Sequence, residues 1–366
     1  MSDGLIDVLR DKTRGSLIGG AIGDALGYQI EFEKNIKPRQ VTRFFDDYGV
    51  ISDDTQMTLF TACALLWRET RWTIRGIAML PPEAIYLGYL DWLSTQQRVP
   101  EHRPISWIAK IPELNVLRAP GMTCIDALSS GKAGSISEPI NDSKGCGGVM
   151  RIAPIGLFVL SDEQAGVFSA ESCALTHGHP LAILSAYTLG LIIYYVRDGW
   201  TIEKAVRTAI SKMNAWVPEA YHDSKPVKMV WDREKAELSE LIERAVLLAN
   251  ENIGDLEAIS KLGSGWVAEE ALAIAIYCSL KYKDNFEEAV IVAVNHDGDS
   301  DSTGAITGNI LGAALGYKKI PDYYKNNVEL KDTILELADD LATGVPTDKE
   351  GEIVDEKWLK KYFYLV

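Results

Sequence analysis

The sequence predicts an all-α fold, a compact helical bundle in a single domain spanning residues 1–366. Three observations carry that reading. Apolar residues recur with a 3.6-residue period through most of the chain. Strand-like alternation is scarce. Two segments place glycine at every fourth position, which puts the glycines on one helix face.

The helical spacing is clearest in "LFTACALLWRE" (59–69), "LAILSAYTLGLIIYYVRD" (181–198), "ELSELIERAVLLANE" (237–251), "VAEEALAIAIYCSLKY" (267–282) and "LKDTILELADDLATG" (330–344). All are rich in Ala and Leu. Irregular stretches are expected at 33–53, 95–120, 131–147 and 215–228. The length of 366 residues alone would allow two domains. None of the irregular stretches has the composition of an interdomain linker, however, and no fixed-period repeat is present. One helical domain with functional loops follows.

Nearly half the residues are apolar, 47%, so the chain can bury a large core. No run reaches the roughly 18 uncharged apolar residues of a membrane helix. The first residues, "MSDGLIDVLRDKTRG", mix both charge signs and lack a long apolar stretch, so no secretory signal is read there. Cys63, Cys124, Cys146, Cys173 and Cys278 are scattered without CxxC spacing. That odd, unpatterned set fits a reducing compartment, and the expectation is a soluble cytoplasmic protein. The net charge of −15 argues against nucleic-acid binding, which needs clustered Lys and Arg. It would also repel an anionic ligand unless bound cations reversed the sign locally.

Taken in chain order, the first glycine segment is "GSLIGGAIGDALG", with Gly15, Gly19, Gly23 and Gly27 on one face. Each helical glycine costs roughly 1 kcal/mol relative to alanine. Close approach of a neighbouring helix is the natural compensation. The partner expected is "GAITGNILGAALG", where Gly304, Gly308, Gly312 and Gly316 repeat the pattern. Asp24 lies within the first segment and reads as a buried, hydrogen-bonded helix residue. Glu31 follows it and would approach Asp299 and Asp301 if the two glycine helices pack together.

"ISDDTQMTLF" places Ser52, Asp53, Asp54 and Thr55 at the start of a helical run, where helix capping and metal binding are both open readings. "SKGCGGVMRIAPIG" (143–156) is a glycine-rich loop entering an apolar run. Its backbone N–H groups could approach a phosphate, although it lacks Walker spacing and also reads as a tight turn. "THGHP" offers His177 and His179, which are not the i, i+4 zinc pair. One cap and one ligand-facing histidine is the expectation. Trp266 reads as core packing, with a stacking platform as the alternative.

"NHDGDSDSTG" sets Asp297, Asp299 and Asp301 at alternate positions. An EF-hand loop needs Gly at its sixth position and Glu at its twelfth. Counted from Asp297 these are Ser302 and Gly308, so the EF-hand fails. Capping would need only one or two such residues, and three repel one another. Hard oxygen ligands at this spacing suit Mg²⁺, Ca²⁺ or Mn²⁺.

The five motifs in this order, from "GGAIGDALGYQIEF" through "SDDT", "SKGCGGVMR" and "THGHP" to "GDSDSTGAITG", resemble the ADP-ribosylglycohydrolases over nearly the whole chain. The resemblance implies an orthogonal α-helical bundle with two Mg²⁺ ions at the bottom of a cleft, Mn²⁺ being a possible substitute. It implies as metal ligands Ser52, Asp53, Asp54, Asp299, Asp301 and Ser302. Glu31 matches the acidic residue that approaches the metals in relatives. Ser143, Lys144, Gly145, Cys146, Gly147 and Gly148 look like the loop that holds the diphosphate and distal ribose, and His177 like a residue lining the ADP-ribose cleft. Asp297 has no carried-over role beyond support of the ligands.

Two departures stand out. Ser52 replaces the Thr of many members but keeps the hydroxyl. "SKGCGG" replaces the aromatic followed by Gly-Asn-Gly of other branches and looks more like the arginine-directed branch. The implied reaction is Mg²⁺-dependent hydrolysis of the N-glycosidic bond between ADP-ribose and a protein arginine, with Glu31 or Asp54 as general base. ADP-ribose and an ADP-ribosylated protein are the implied partners, with an ADP-ribosylating toxin a further possible partner if the chain is an immunity protein. Two other classes stand beside it: a non-catalytic ADP-ribose binder that occludes a toxin, and a di-metal nucleotide phosphohydrolase.

Overall fold

A computed structural model describes residues 3–97, 104–218, 225–348, 350–353 and 355–364. Among them the regular structure is helical, with two isolated β-bridges, Gly49 to Val328 and Gly145 to Val267. The helices in chain order are α1 (Asp3–Gly27), α2 (Asp53–Arg75), α3 (Pro81–Gln97), α4 (Met122–Ser129), α5 (Ala153–Phe158), α6 (Asp162–Ala174), α7 (Pro180–Arg197) and α8 (Ile202–Ala215). The second half adds α9 (Lys225–Asn250), α10 (Asp255–Ser260), α11 (Ala268–Lys281), α12 (Phe286–Val294), α13 (Ser300–Leu315), α14 (Asp322–Asn327), α15 (Lys331–Thr343) and α16 (Glu356–Tyr362). All five stretches with clear helical spacing are helices. Of the expected irregular regions, parts of 95–120 and 215–228 lie outside the described residues, and helix resumes at Lys225.

The centre of the molecule is the antiparallel pair α1 and α13. Gly15 faces Gly312, Gly19 faces Gly308, and Gly23 faces Gly304, while Gly27 meets the carbonyl of Ser300. A Cβ added at any of these would come within 3.0 Å of the opposing backbone, closer than real Cβ atoms approach. The propensity lost to glycine is thus exchanged for backbone-to-backbone contact. Ser16 Oγ donates to the Asn309 carbonyl and Ser300 Oγ to the Gly27 carbonyl, stitching the pair at both ends. α12 and α15 pack on α1, while α7, α11 and α12 pack on α13.

α7 is long and apolar enough to cross a membrane, yet 83% of it is buried in the protein, and it serves as a core helix. Pro180 opens it and His179 caps it, its Nδ1 accepting from Leu181 N at 3.1 Å. That assigns His179 the capping role expected from the sequence. The consequence for the site is geometric. Antiparallel packing puts the C-terminal end of α1, and so Glu31, beside the N-terminus of α13, where Asp299 and Asp301 lie.

Candidate active site

Six carboxylates meet at one end of the central pair. Asp24 comes from α1, Glu31 from the turn after it, Asp53 and Asp54 from the first turn of α2, and Asp299 and Asp301 from the start of α13. All six are buried. Glu31, Asp299 and Asp301 each offer an oxygen within 4.8 Å of the others.

Capping and clustering coexist here. Ser52 is the N-cap of α2, its Oγ accepting from Asp54 N at 3.2 Å. Asp299 is the N-cap of α13 and accepts from Ser302 N at 3.3 Å. Asp24 is the clamp between helices: it accepts from the backbone N–H of Ser52 at 3.0 Å, from that of Thr55 at 3.1 Å, and from the Thr55 hydroxyl. Asp53 is fixed from outside the motifs. Its N–H donates to the Arg118 carbonyl at 3.0 Å, and its Oδ2 accepts from Gly121 N at 3.1 Å.

Among the described residues no Lys or Arg pairs with any of the six. Burial raises the pKa of every one, and Asp301 reinforces the shift at Asp24, Glu31, Asp53, Asp54 and Asp299. Asp54 Oδ1 and Glu31 Oε2 are buried with no hydrogen-bond partner. Buried carboxylates without cationic partners need positive charge from elsewhere. Hard oxygen donors with orphaned lone pairs fit divalent cations.

The glycine-rich loop forms one wall. The Cys146 thiol donates to Asp299 Oδ2 at 2.6 Å, and burial followed by Asp299 pushes that thiol's pKa well up. Cys146 N donates to the Trp266 carbonyl at 3.2 Å, and Ala268 N to the Lys144 carbonyl at 2.8 Å, so the loop is pinned to the entry of α11. Ser143 Oγ lies 3.4 Å from Thr123 Oγ1. The loop glycines differ in purpose. A Cβ at Gly148 would come 2.5 Å from Cys173 Sγ, whereas Cβ atoms at Gly145 and Gly147 would stand 3.4 and 3.2 Å from their nearest neighbours. Packing therefore demands glycine most firmly at 148. His177 lies buried under the loop, its Nε2 edge toward Gly145. Burial and the charge of Arg151 lower its pKa to about 3.

Three residues depart from expectation. The Lys144 ammonium turns to Glu269, forming an ion pair at the entry of α11. Asp297 is exposed and accepts from Asn35 N at 2.9 Å and Ile36 N at 2.7 Å, anchoring the loop after Glu31 rather than supporting the metal ligands. Trp266 is 43% exposed and not in the core. It stacks on Phe32, itself 71% exposed, with ring centroids 6.4 Å apart. Sequence reasoning missed Phe32, the 118–121 segment and Arg151 as parts of the site. Only Arg151 carried a signal, as the cation ending "SKGCGGVMR".

Comparisons with known proteins bear on the family and the fold. The family model described as ADP-ribosylglycohydrolase matches residues 6–351. An ADP-ribosylhydrolase ARH3 of Bos taurus is 25% identical over 200 residues, 51% of this chain, and the match spans about half of that protein's length, 54%. The ADP-ribosylarginine hydrolase Tri1 of Serratia proteamaculans is 24% identical over 359 residues, 92% of this chain and 81% of its own. A solved structure of an ADP-ribosylglycohydrolase-related protein complex shares the fold, with a TM-score of 0.60 at 20% identity over 92% of this chain and 99% of that one. The chain belongs to the ADP-ribosylglycohydrolase family.

Proposed function

We propose that this protein hydrolyses the N-glycosidic bond joining ADP-ribose to the guanidinium of a modified protein arginine, with two Mg²⁺ ions held by Ser52, Asp53, Asp54, Asp299, Asp301 and Ser302, and Mn²⁺ able to replace them. The observation that carries this reading is the meeting of Glu31 with Asp299 and Asp301 directly beneath the Cys146 loop. Similarity to an ADP-ribosylarginine hydrolase over 92% of the chain supports the choice of linkage.

Bound divalent cations would neutralise the carboxylates and make water easier to ionise. The chain's residues supply the rest. Glu31, at 8% the most exposed of the six acids and next to the exposed Phe32, has one oxygen unpartnered, which supports it as the group that takes a proton from the attacking water. Asp54, whose Oδ1 is also unpartnered, is the second candidate for that step. The 143–148 loop and His177 bind the diphosphate and ribose and orient the anomeric carbon toward the acids. The exposed Phe32–Trp266 stack offers an aromatic surface next to Glu31 and to the backbone that anchors Cys146.

The test is release of free ADP-ribose from an arginine-ADP-ribosylated protein, measured with Mg²⁺, with Mn²⁺ and with EDTA. Release in either metal, its loss in EDTA, and its loss in the Asp53→Asn/Asp54→Asn variant are expected. No release while ADP-ribose still binds would replace the hydrolase with a binder that acts by occlusion. Phosphate or a nucleoside monophosphate as product would point to a phosphohydrolase.

A further inference from the structure

Arg151 is fully buried three residues beyond Gly148, and among the described residues no carboxylate pairs with it. A buried guanidinium without a counter-charge is costly unless its hydrogens are satisfied. Here Nε–H is left without a partner, while Nη2 donates to Thr176 Oγ1 at 2.6 Å and reaches the Ser172 carbonyl at 3.4 Å. Nη1 faces the sulfurs of Met57 and Cys124, each at 3.4 Å, and the group lies 4.1 Å from the centre of the Tyr89 ring. Thr176 Oγ1 is in turn 2.8 Å from His177 Nδ1.

Hydrogen-bond accounting fixes the direction of this chain. A guanidinium only donates, so Thr176 Oγ1 accepts from Arg151 and has one proton left to give. The imidazole nitrogen is the strong acceptor within reach, while the neighbouring Cys124 sulfur is a weak one. The hydroxyl is therefore best satisfied by donating to Nδ1 rather than to the sulfur, which leaves the ring hydrogen on Nε2. With its pKa held at about 3, the ring is neutral near pH 7, so which nitrogen bears the proton decides what it offers. The Nε2 edge lies against Gly145 and Gly147, and no hydrogen-bond partner occupies it among the described residues.

We propose that Arg151 and Thr176 are positioning residues that lock His177 as its Nε2–H tautomer, so that an N–H donor rather than a lone pair faces the anionic part of the ligand held by the 143–148 loop. Only the identity of the ligand rests on the hydrolase reading. The tautomer rests on the hydrogen bonds alone. Arg151 has a second effect, since a buried cation without a counter-ion favours an anion above it.

The experiment is long-range ¹H–¹⁵N NMR of the histidine side chains in the full-length protein, with His177 assigned by His177→Gln, alongside calorimetric titration with ADP-ribose in Mg²⁺. Wild type should show His177 protonated at Nε2. Thr176→Val should shift the ring to the Nδ1–H form or to an exchanging mixture and weaken ADP-ribose binding about tenfold, roughly the loss of one hydrogen bond to a charged group. Thr176→Ser should restore both. An Nδ1–H ring in wild type would overturn the proposal without recourse to any variant, as would an unchanged tautomer in folded Thr176→Val. Wild type with the Nε2–H ring but no affinity for ADP-ribose would instead overturn the hydrolase reading.

Discussion

Glu31 and Lys144 illustrate how differently two expected site residues can stand. Glu31 has one oxygen, Oε2, buried without a partner, and its carboxyl meets those of Asp299 and Asp301, whereas the Lys144 ammonium is held by Glu269. Glu31→Gln keeps the shape and removes the proposed base. Turnover should fall about 10²- to 10⁴-fold, with ADP-ribose affinity changed only a few-fold. Lys144→Ala should leave ADP-ribose affinity near wild type. Steady-state kinetics and calorimetry on both variants check this, and a large loss of binding in Lys144→Ala would mean that the lysine swings to the ligand. The residue types and spacing of "SDDT" and "GDSDS" made the acidic cluster legible. Asp297 was misplaced because alternation holds only while the chain is extended. The backbone turns at Gly298 and becomes helical at Ser300, which leaves Asp297 outside. The Cys146–Asp299 contact joins residues 153 positions apart, and no local pattern encodes such a pair.

At the scale of elements, the four-residue glycine repeat was the most informative feature, because glycine on one helical face has a single economical explanation. It foretold the α1–α13 pair and through it the approach of Glu31 to Asp299 and Asp301. Gly308→Ala tests the explanation. The new methyl would strike the Gly19 backbone, which cannot move aside as a side chain could. Overpacking of this kind should cost about 3 kcal/mol in denaturant unfolding. Because α13 carries the acids at its N-terminus, Mg²⁺ affinity should weaken too. Gly4→Ala, where nothing lies within 4 Å, is the control and should be neutral or slightly stabilising. Equal stability of the two variants would contradict the close approach. Short helices such as α5, α10 and α14, six residues each, escaped the sequence reading because they complete fewer than two turns of the apolar period.

Over the whole molecule, burial of two neutral histidines links stability to pH. Burial first, then Arg151, lowers the His177 pKa to about 3, and burial lowers that of His296 to about 4. The sign follows from proton counting. Between those values and the ordinary 6.5, the unfolded chain binds protons that the folded chain refuses, so stability falls as pH drops below about 6.5. Saturating Mg²⁺ should hold the acidic cluster ionised and leave the histidines as the main contributors. From pH 7.5 to 5.5, one such histidine removes roughly 1.4 kcal/mol per pH unit below 6.5. His296→Asn should therefore lose about 1.4 kcal/mol less stability than wild type over that interval. Chemical denaturation at the two pH values measures the difference. Following it by tryptophan fluorescence and circular dichroism together also tests the expected single domain, since the two transitions should then coincide. The same loss in variant and wild type would mean that His296 takes up its proton in the folded protein near the ordinary 6.5, and hence that at pH 5.5 the hydrogen bond between its Nε2 and Thr303 Oγ1 is made by a charged ring.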